Sequence, residues 1–136
     1  MQGHHLTADL RGCALSRPPM TSLDALRATC LDAVRAAGLV AVGELFHRFV
    51  PGPVGEHTTA AGITGVVLLA ESHLAVHTWP ELEAATLDVY VCNLGTDNSA
   101  KAEALLAALI DAFAPTSVER HALQRGVVAA PTGVAT

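Results

Sequence analysis

The sequence predicts an α+β fold: a two-layer α/β sandwich in which one mostly antiparallel sheet carries two helices on a single face. Three observations carry this. Several short segments alternate apolar and polar residues with the period of two that a half-buried strand requires. Two longer segments space their apolar residues as helices do, and each opens on a capping residue. The order is strand, helix, two or three strands, strand, helix, strand, which matches helices gathered on one side of an antiparallel sheet. The opposite sheet face then needs a cover, and a second copy of the chain is the simplest one. With 136 residues, the chain is expected to form one domain over residues 1–125, followed by a flexible, uncharged tail at 126–136.

The elements follow in order. From His4 to Cys13, Leu6, Ala8 and Leu10 alternate with His5, Thr7, Asp9 and Arg11, a half-buried strand. Ser16 to Pro19 reads as a turn. Thr21 or Ser22 caps a helix running to about Ala37, with Leu23, Leu26, Cys30, Val34 and Ala37 on one face and Gly38 as its stop. Leu39 to Val50 is a second strand, where Glu44, His47 and Arg48 break the alternation and imply a bulge or bend. Residues 51–61 form a roomy loop with Glu56 and His57. Ile63 to Ala70 is nearly all apolar, which predicts a central strand buried on both faces. A turn falls near Glu71–Ser72, and a strand from His73 ends at Pro80. Leu87, Val89 and Val91 alternate with Asp88, Tyr90 and Cys92 in the next strand. Asn98 or Ser99 caps the second helix, with Leu105, Leu106, Leu109 and Ile110 on its buried face. It ends near Phe113, before Pro115, and Ser117 to Arg125 is the last strand.

Composition excludes several classes. The formal net charge is -5, with 15% charged residues and basic residues scattered singly, so the clustered positive footprint of a nucleic-acid binder is missing. No uncharged run is long enough to span a bilayer, and the first twenty residues lack an apolar signal core. The expected compartment is therefore the cytoplasm, where Cys13, Cys30 and Cys92, which show no paired spacing, stay free thiols.

Chemistry-bearing side chains concentrate in residues 63–92: Glu71, Ser72, His73, His77, Thr78, Trp79, Glu81, Asp88 and Cys92. The seven histidines invite a metal. However, His4 and His5 point to opposite sides of a strand, and His73 and His77 would stand about 13 Å apart on a straight one. Neither pair has ligand spacing, and no metal is expected. Ser72 lacks the Gly-x-Ser-x-Gly elbow of a serine hydrolase. A Cys92–His77 pair stays open at this point, as does Cys92 as a small apolar residue at a strand end.

The segment AESHLAVHTWPE, residues 70–81, followed by LDVYVC, residues 87–92, closely resembles the bacterial and archaeal S-adenosylmethionine decarboxylase proenzymes. The resemblance extends to Phe46–Phe49 (FHRF) and, more weakly, to His5, Leu6, Ala8 and Asp9. It covers most of the chain from His4 to about Phe113. It implies a self-processing, pyruvoyl-dependent enzyme that decarboxylates S-adenosylmethionine for spermidine and other polyamines. The proenzyme would cleave itself between Glu71 and Ser72, the Ser72 hydroxyl attacking the preceding carbonyl and residue 72 ending as a covalent pyruvoyl group. That ketone would take the substrate amine as a Schiff base and act as electron sink. No metal and no pyridoxal phosphate is implied.

The resemblance also implies roles. His77 matches a processing histidine. Thr64 stands where the family has a serine, keeping the hydroxyl and adding a methyl. Cys92 matches the proton donor to the reacting carbon, a task suited to a thiol with its ordinary pKa of about 8.5. Phe49 and Trp79 match the aromatics that hold the adenine, and Glu81 the carboxylate that binds the ribose hydroxyls. Asp9 and Asp88 fall where the family also has acids. The site is implied to lie at the interface of a homodimer. Two departures bear on substrate: Leu82, Glu83 and Ala84 replace a Tyr-Gly-Tyr, and the loop before Ile63 is longer than in the compact bacterial form. A pyruvoyl-dependent arginine or ornithine decarboxylase is one alternative. An unprocessed binding or regulatory homologue is the other.

Overall fold

The computed structural model describes residues 1–50 and 62–126. The loop expected at 51–61 and the tail expected beyond Gly126 lie outside the described residues. Six strands form one antiparallel sheet: β1 (Gln2–Arg11), β2 (Ala41–Arg48), β3 (Ile63–Leu69), β4 (Ser72–Trp79), β5 (Ala84–Cys92) and β6 (Ser117–Gly126), in the order β2-β3-β4-β5-β1-β6. The main helices, α2 (Leu23–Ala36) and α3 (Ser99–Phe113), pack on one face, as the sequence predicts. The second half of the expected turn at Ser16–Pro19 is instead the start of a single helical turn, α1 (Pro18–Thr21), where the prolines have no N–H to satisfy.

The core lies between that sheet face and the helices. Leu6, Ala8 and Leu10 of β1, Leu74 and Val76 of β4, and Leu87, Val89 and Val91 of β5 meet Leu26, Cys30 and Val34 of α2 and Leu105, Leu106, Leu109 and Phe113 of α3. Cys13 and Cys30 are buried here as free thiols, and burial pushes the Cys30 thiol up to about 12. The Ser22 hydroxyl caps α2, accepting from the Ala25 amide at 3.1 Å. Asn98 is the N-cap residue of α3, as expected, but its side chain does not cap the helix. Asp97 accepts the Ser99 amide at 2.9 Å, while the Asn98 side chain turns away and donates to the Cys92 carbonyl at 2.8 Å. That bond ties the start of α3 to the end of β5.

The expectation that β3 is buried on both faces is also corrected. Ile63, Gly65, Val67 and Leu69 are buried against the helix side, but Leu68 is 51% exposed. Among the described residues, no helix covers the opposite face. The expected irregularity in β2 appears as a register shift between Ala41 and Gly43. Phe46 of β2 lies over Gly65 on the helix side, where a Cβ at position 65 would overlap the ring. Gly65→Ala is therefore expected to lower stability by about 1–3 kcal/mol through overpacking, read as an earlier midpoint in urea. An unchanged midpoint would mean that the ring does not rest on Gly65.

Candidate active site

β3 and β4 form a hairpin in which Leu69 pairs with Ser72, so the turn consists of Ala70 and Glu71 alone. Glu71 takes φ 55. This left-handed conformation costs a residue with a Cβ roughly 1–2 kcal/mol. The strain thus sits on the residue just before Ser72. Ser72 is half-buried, and its Oγ accepts the Cys92 amide at 3.0 Å across the β4–β5 ladder. Cys92 is a free thiol like the two core cysteines, but only half-buried. Glu71, Ser72 and Cys92 therefore cluster at one end of the sheet. Ser72 and Glu71 line an open cleft there with Val66, Leu68, Tyr90 and Arg125.

Thr64, His77, Phe49, Trp79 and Glu81 lie at the other end. Thr64 and His77 are paired directly across β3 and β4, and Thr64 Oγ1 shares a hydrogen bond of 3.0 Å with His77 Nδ1. The threonine hydroxyl at position 64 is thus in direct contact with the His77 ring. The His77 ring stacks on Trp79, centroids 5.7 Å apart and planes at 24°. Phe49 follows β2, is 51% exposed, and meets His47 edge-on at 4.8 Å. Its amide bonds to the Gly62 carbonyl at 2.9 Å, which holds it at the end of β3 that carries Thr64. Glu81 is exposed in the 3-10 turn Pro80–Leu82 that follows β4.

The predicted residues thus form two groups at opposite ends of the sheet. Ser72 and His77 are five residue steps apart along β4, about 17 Å of strand. The Cys92–His77 pair left open by the sequence cannot form within one chain, because His77 pairs with Thr86, six positions down β5 from Cys92.

Sequence reasoning missed a third feature, on the Ser72 side of the open face. His5 Nε2 lies 2.6 Å from Asp88 Oδ1, and His73 Nε2 lies 3.8 Å from the same oxygen. Tyr90 stacks on His73 with centroids 5.7 Å apart, and the Arg125 guanidinium lies 5.6 Å from the Tyr90 centroid. Period-two alternation put Asp88 and Tyr90 on this face, but only cross-strand register brings His5, from β1, and Arg125, from β6, beside them.

Among the described residues, no helix is long and apolar enough to cross a membrane. The family model described as S-adenosylmethionine decarboxylase matches residues 4–126. The S-adenosylmethionine decarboxylase proenzyme of Hydrogenobaculum sp. is 33% identical over 127 residues, covering 93% of this chain and 83% of that one. The proenzyme of the same name from Archaeoglobus fulgidus is 31% identical over 124 residues, covering 91% and 97%. Among solved structures, the adenosylmethionine decarboxylase of Aquifex aeolicus superposes with a TM-score of 0.78 at 31% identity over 93% of this chain and 92% of that one. The Trypanosoma brucei AdoMetDC monomer shares the fold alone, with a TM-score of 0.54 at 12% identity, over 86% of this chain and 44% of that one. With the family model spanning nearly all of the described residues and close relatives matched over most of both chains, the chain belongs to the S-adenosylmethionine decarboxylase family.

Proposed function

We propose that the chain is a self-processing decarboxylase of S-adenosylmethionine, cleaved between Glu71 and Ser72, that works in the cytoplasm as a homodimer and supplies the aminopropyl donor for spermidine. The observation that carries this is the hairpin tip: a left-handed Glu71 directly before a Ser72 whose Oγ is held by the Cys92 amide at 3.0 Å. With the Cys92 N–H occupying an Oγ lone pair, the hydroxyl proton stays free for transfer to a base. Attack of Oγ on the Glu71 carbonyl would turn the strained amide into an ester. Loss of the Ser72 α-proton with departure of the Glu71 carboxylate would then end residues 1–71 as a separate chain.

The residues present fit the pyruvoyl group expected at position 72, since a serine begins β4 at the mouth of a cleft wide enough for a substrate. That group supplies an electrophilic ketone to capture the substrate amine and accept the electrons left by carbon dioxide. The protein's own share is to bind, orient and return a proton. Cys92, tied to Ser72 by its own amide, is the group positioned to protonate the reacting carbon. Phe49 and Trp79 offer aromatic faces to an adenine and to a sulfonium charge, and Glu81 a carboxylate to a ribose diol.

The base for processing has to come from elsewhere, since His77 is about 17 Å from Ser72 along β4. A second copy supplies it. The open face exposes Val42 at 65%, Leu45 at 74%, Leu68 at 51% and Leu123 at 58%, an apolar surface of the kind that association covers. Two such faces can meet about a two-fold axis lying between the sheets and perpendicular to the strands. The Ser72 end of each protomer then opposes the Thr64–His77–Trp79 end of its partner. Each site is shared, and the hydrogen bond with Thr64 orients the imidazole delivered across the interface.

The relatives carry one activity in their names, so the basic-amino-acid and non-catalytic alternatives are set aside. Intact mass under denaturing conditions tests the reading. The expected result is two fragments, residues 1–71 and a second beginning at position 72 with its amine lost. A single full-length chain that persists on long incubation would overturn it. In the processed enzyme, Cys92→Ala is expected to lower kcat by about 10²-fold or more while the two fragments still form. Normal turnover would remove Cys92 from its role.

A further inference from the structure

We infer that Arg125, held over Tyr90 at the edge of the Ser72 cleft, is the residue that binds the substrate's α-carboxylate. Arg125 lies on β6 opposite Gly3, and Gly3 lies opposite Cys92, so these three share one cross-strand row on the open face. Gly3 has no side chain, and the Tyr90 phenol occupies the space a Cβ there would take. The Arg125 side chain reaches back over β1 toward Tyr90 and His5. Its guanidinium carbon lies 5.6 Å from the Tyr90 centroid, and its Nη1 lies 3.5 Å from His5 Nδ1. His73 also stacks on Tyr90. Arg125, Tyr90 and His73 therefore build one wall of the cleft that Ser72 also lines.

The charge balance of this wall points to an anion. Arg27, Arg35 and Arg120 each pair with a carboxylate, whereas among the described residues no carboxylate lies within 4.0 Å of Arg125, nor of Arg11, Arg17 or Arg48, and of these four Arg125 is the one that lines the cleft. Asp88 is the nearby acid, and its Oδ1 is engaged by His5 Nε2 at 2.6 Å. The guanidinium thus faces the cleft with donors left over, stiffened by an aromatic face but not neutralised. An amino-acid substrate captured at residue 72 brings one anionic group within reach, its α-carboxylate, and a guanidinium fork suits a carboxylate. The cationic sulfonium and the nucleoside would lie away from this wall, toward the partner's Trp79 and Glu81. This assignment rests on the proposed function and adds a specificity determinant to it.

The expected kinetics follow from when the charge exists. The carboxylate is anionic in the bound substrate and loses its charge as carbon dioxide leaves, so Arg125 contributes to binding and not to the chemical step. Arg125→Gln should raise KM for S-adenosylmethionine roughly ten- to hundredfold, the worth of a charge-assisted hydrogen-bond pair, with a much smaller fall in kcat. Arg125→Lys, which keeps the charge but not the fork, should fall between. The decisive comparison is inhibition by decarboxylated S-adenosylmethionine, which lacks the carboxylate. Its Ki should be the same in the wild type and in Arg125→Gln. An unchanged KM, or a Ki that rises in step with KM, overturns the assignment. So does loss of processing in both variants, which would place Arg125 in folding or maturation. A wild-type chain that neither cleaves nor turns over would instead sink the proposed function, and intact mass separates the two failures.

Discussion

Ser72→Ala is expected to leave one uncleaved chain of full mass and no decarboxylase activity above background. The hydroxyl is asked to do two things that a methyl cannot. It must attack the Glu71 carbonyl, and its oxygen must leave the β-carbon when the ester is eliminated. No neighbouring side chain can take over, because residue 72 itself has to become the ketone. The fold should survive. Ser72 is half-buried, and its Oγ is lost only as acceptor for the Cys92 amide, which costs on the order of 1 kcal/mol in a domain stabilised by several. The variant should therefore run as a folded protein of wild-type oligomeric size, which separates failed chemistry from failed folding. Two fragments from Ser72→Ala would mean that another agent cuts the chain, and the self-processing reading would fall.

Much of the fold was legible because two periodicities are written plainly. Leu6, Ala8 and Leu10, or Leu87, Val89 and Val91, can face one core only in a strand. Leu26, Cys30 and Val34, or Leu105, Leu106 and Leu109, can do so only in a helix. β3 misled because an unbroken apolar run does not say what covers each face. Its helix-side residues are buried within the chain, while Leu68 stays open for whatever covers the far side. The N-cap position of α3 at Asn98 was legible, but only the geometry shows its side chain drawn to the Cys92 carbonyl instead of capping the helix. The motif residues were found by their local pattern, but proximity in sequence misrepresented their arrangement. Ser72 and His77 are five residues apart and face away from each other's chemistry, since a strand separates its ends as surely as it aligns them. Arg125 was invisible for the converse reason. It is far from every motif in sequence, and only the register of β6 on β1 brings it to the cleft.

Mixed dimers give the second large effect. If each site takes Ser72 from one protomer and His77 from the other, Ser72→Ala and His77→Ala chains should each be inert alone and active together. In a heterodimer of the two, one site carries both substitutions and the other neither. The intact site joins the Ser72 of the His77→Ala chain to the His77 of the Ser72→Ala chain. Only the His77→Ala chain should therefore be cut. With equal co-expression, random pairing makes about half of the dimers mixed, each with one good site in two, so about a quarter of wild-type activity is expected. Differently tagged chains followed by intact mass read out which one is cleaved. A site contained within one protomer predicts no rescue, since every chain would then carry its own defect. The 17 Å or so of β4 between Ser72 and His77 argues against that outcome, because it is more than a serine and an imidazole can bridge by rotamer changes. Rescue with cleavage of the Ser72→Ala chain is chemically closed. Rescue of the His77→Ala chain alone would fix both the shared site and the two-fold axis that runs across the strands.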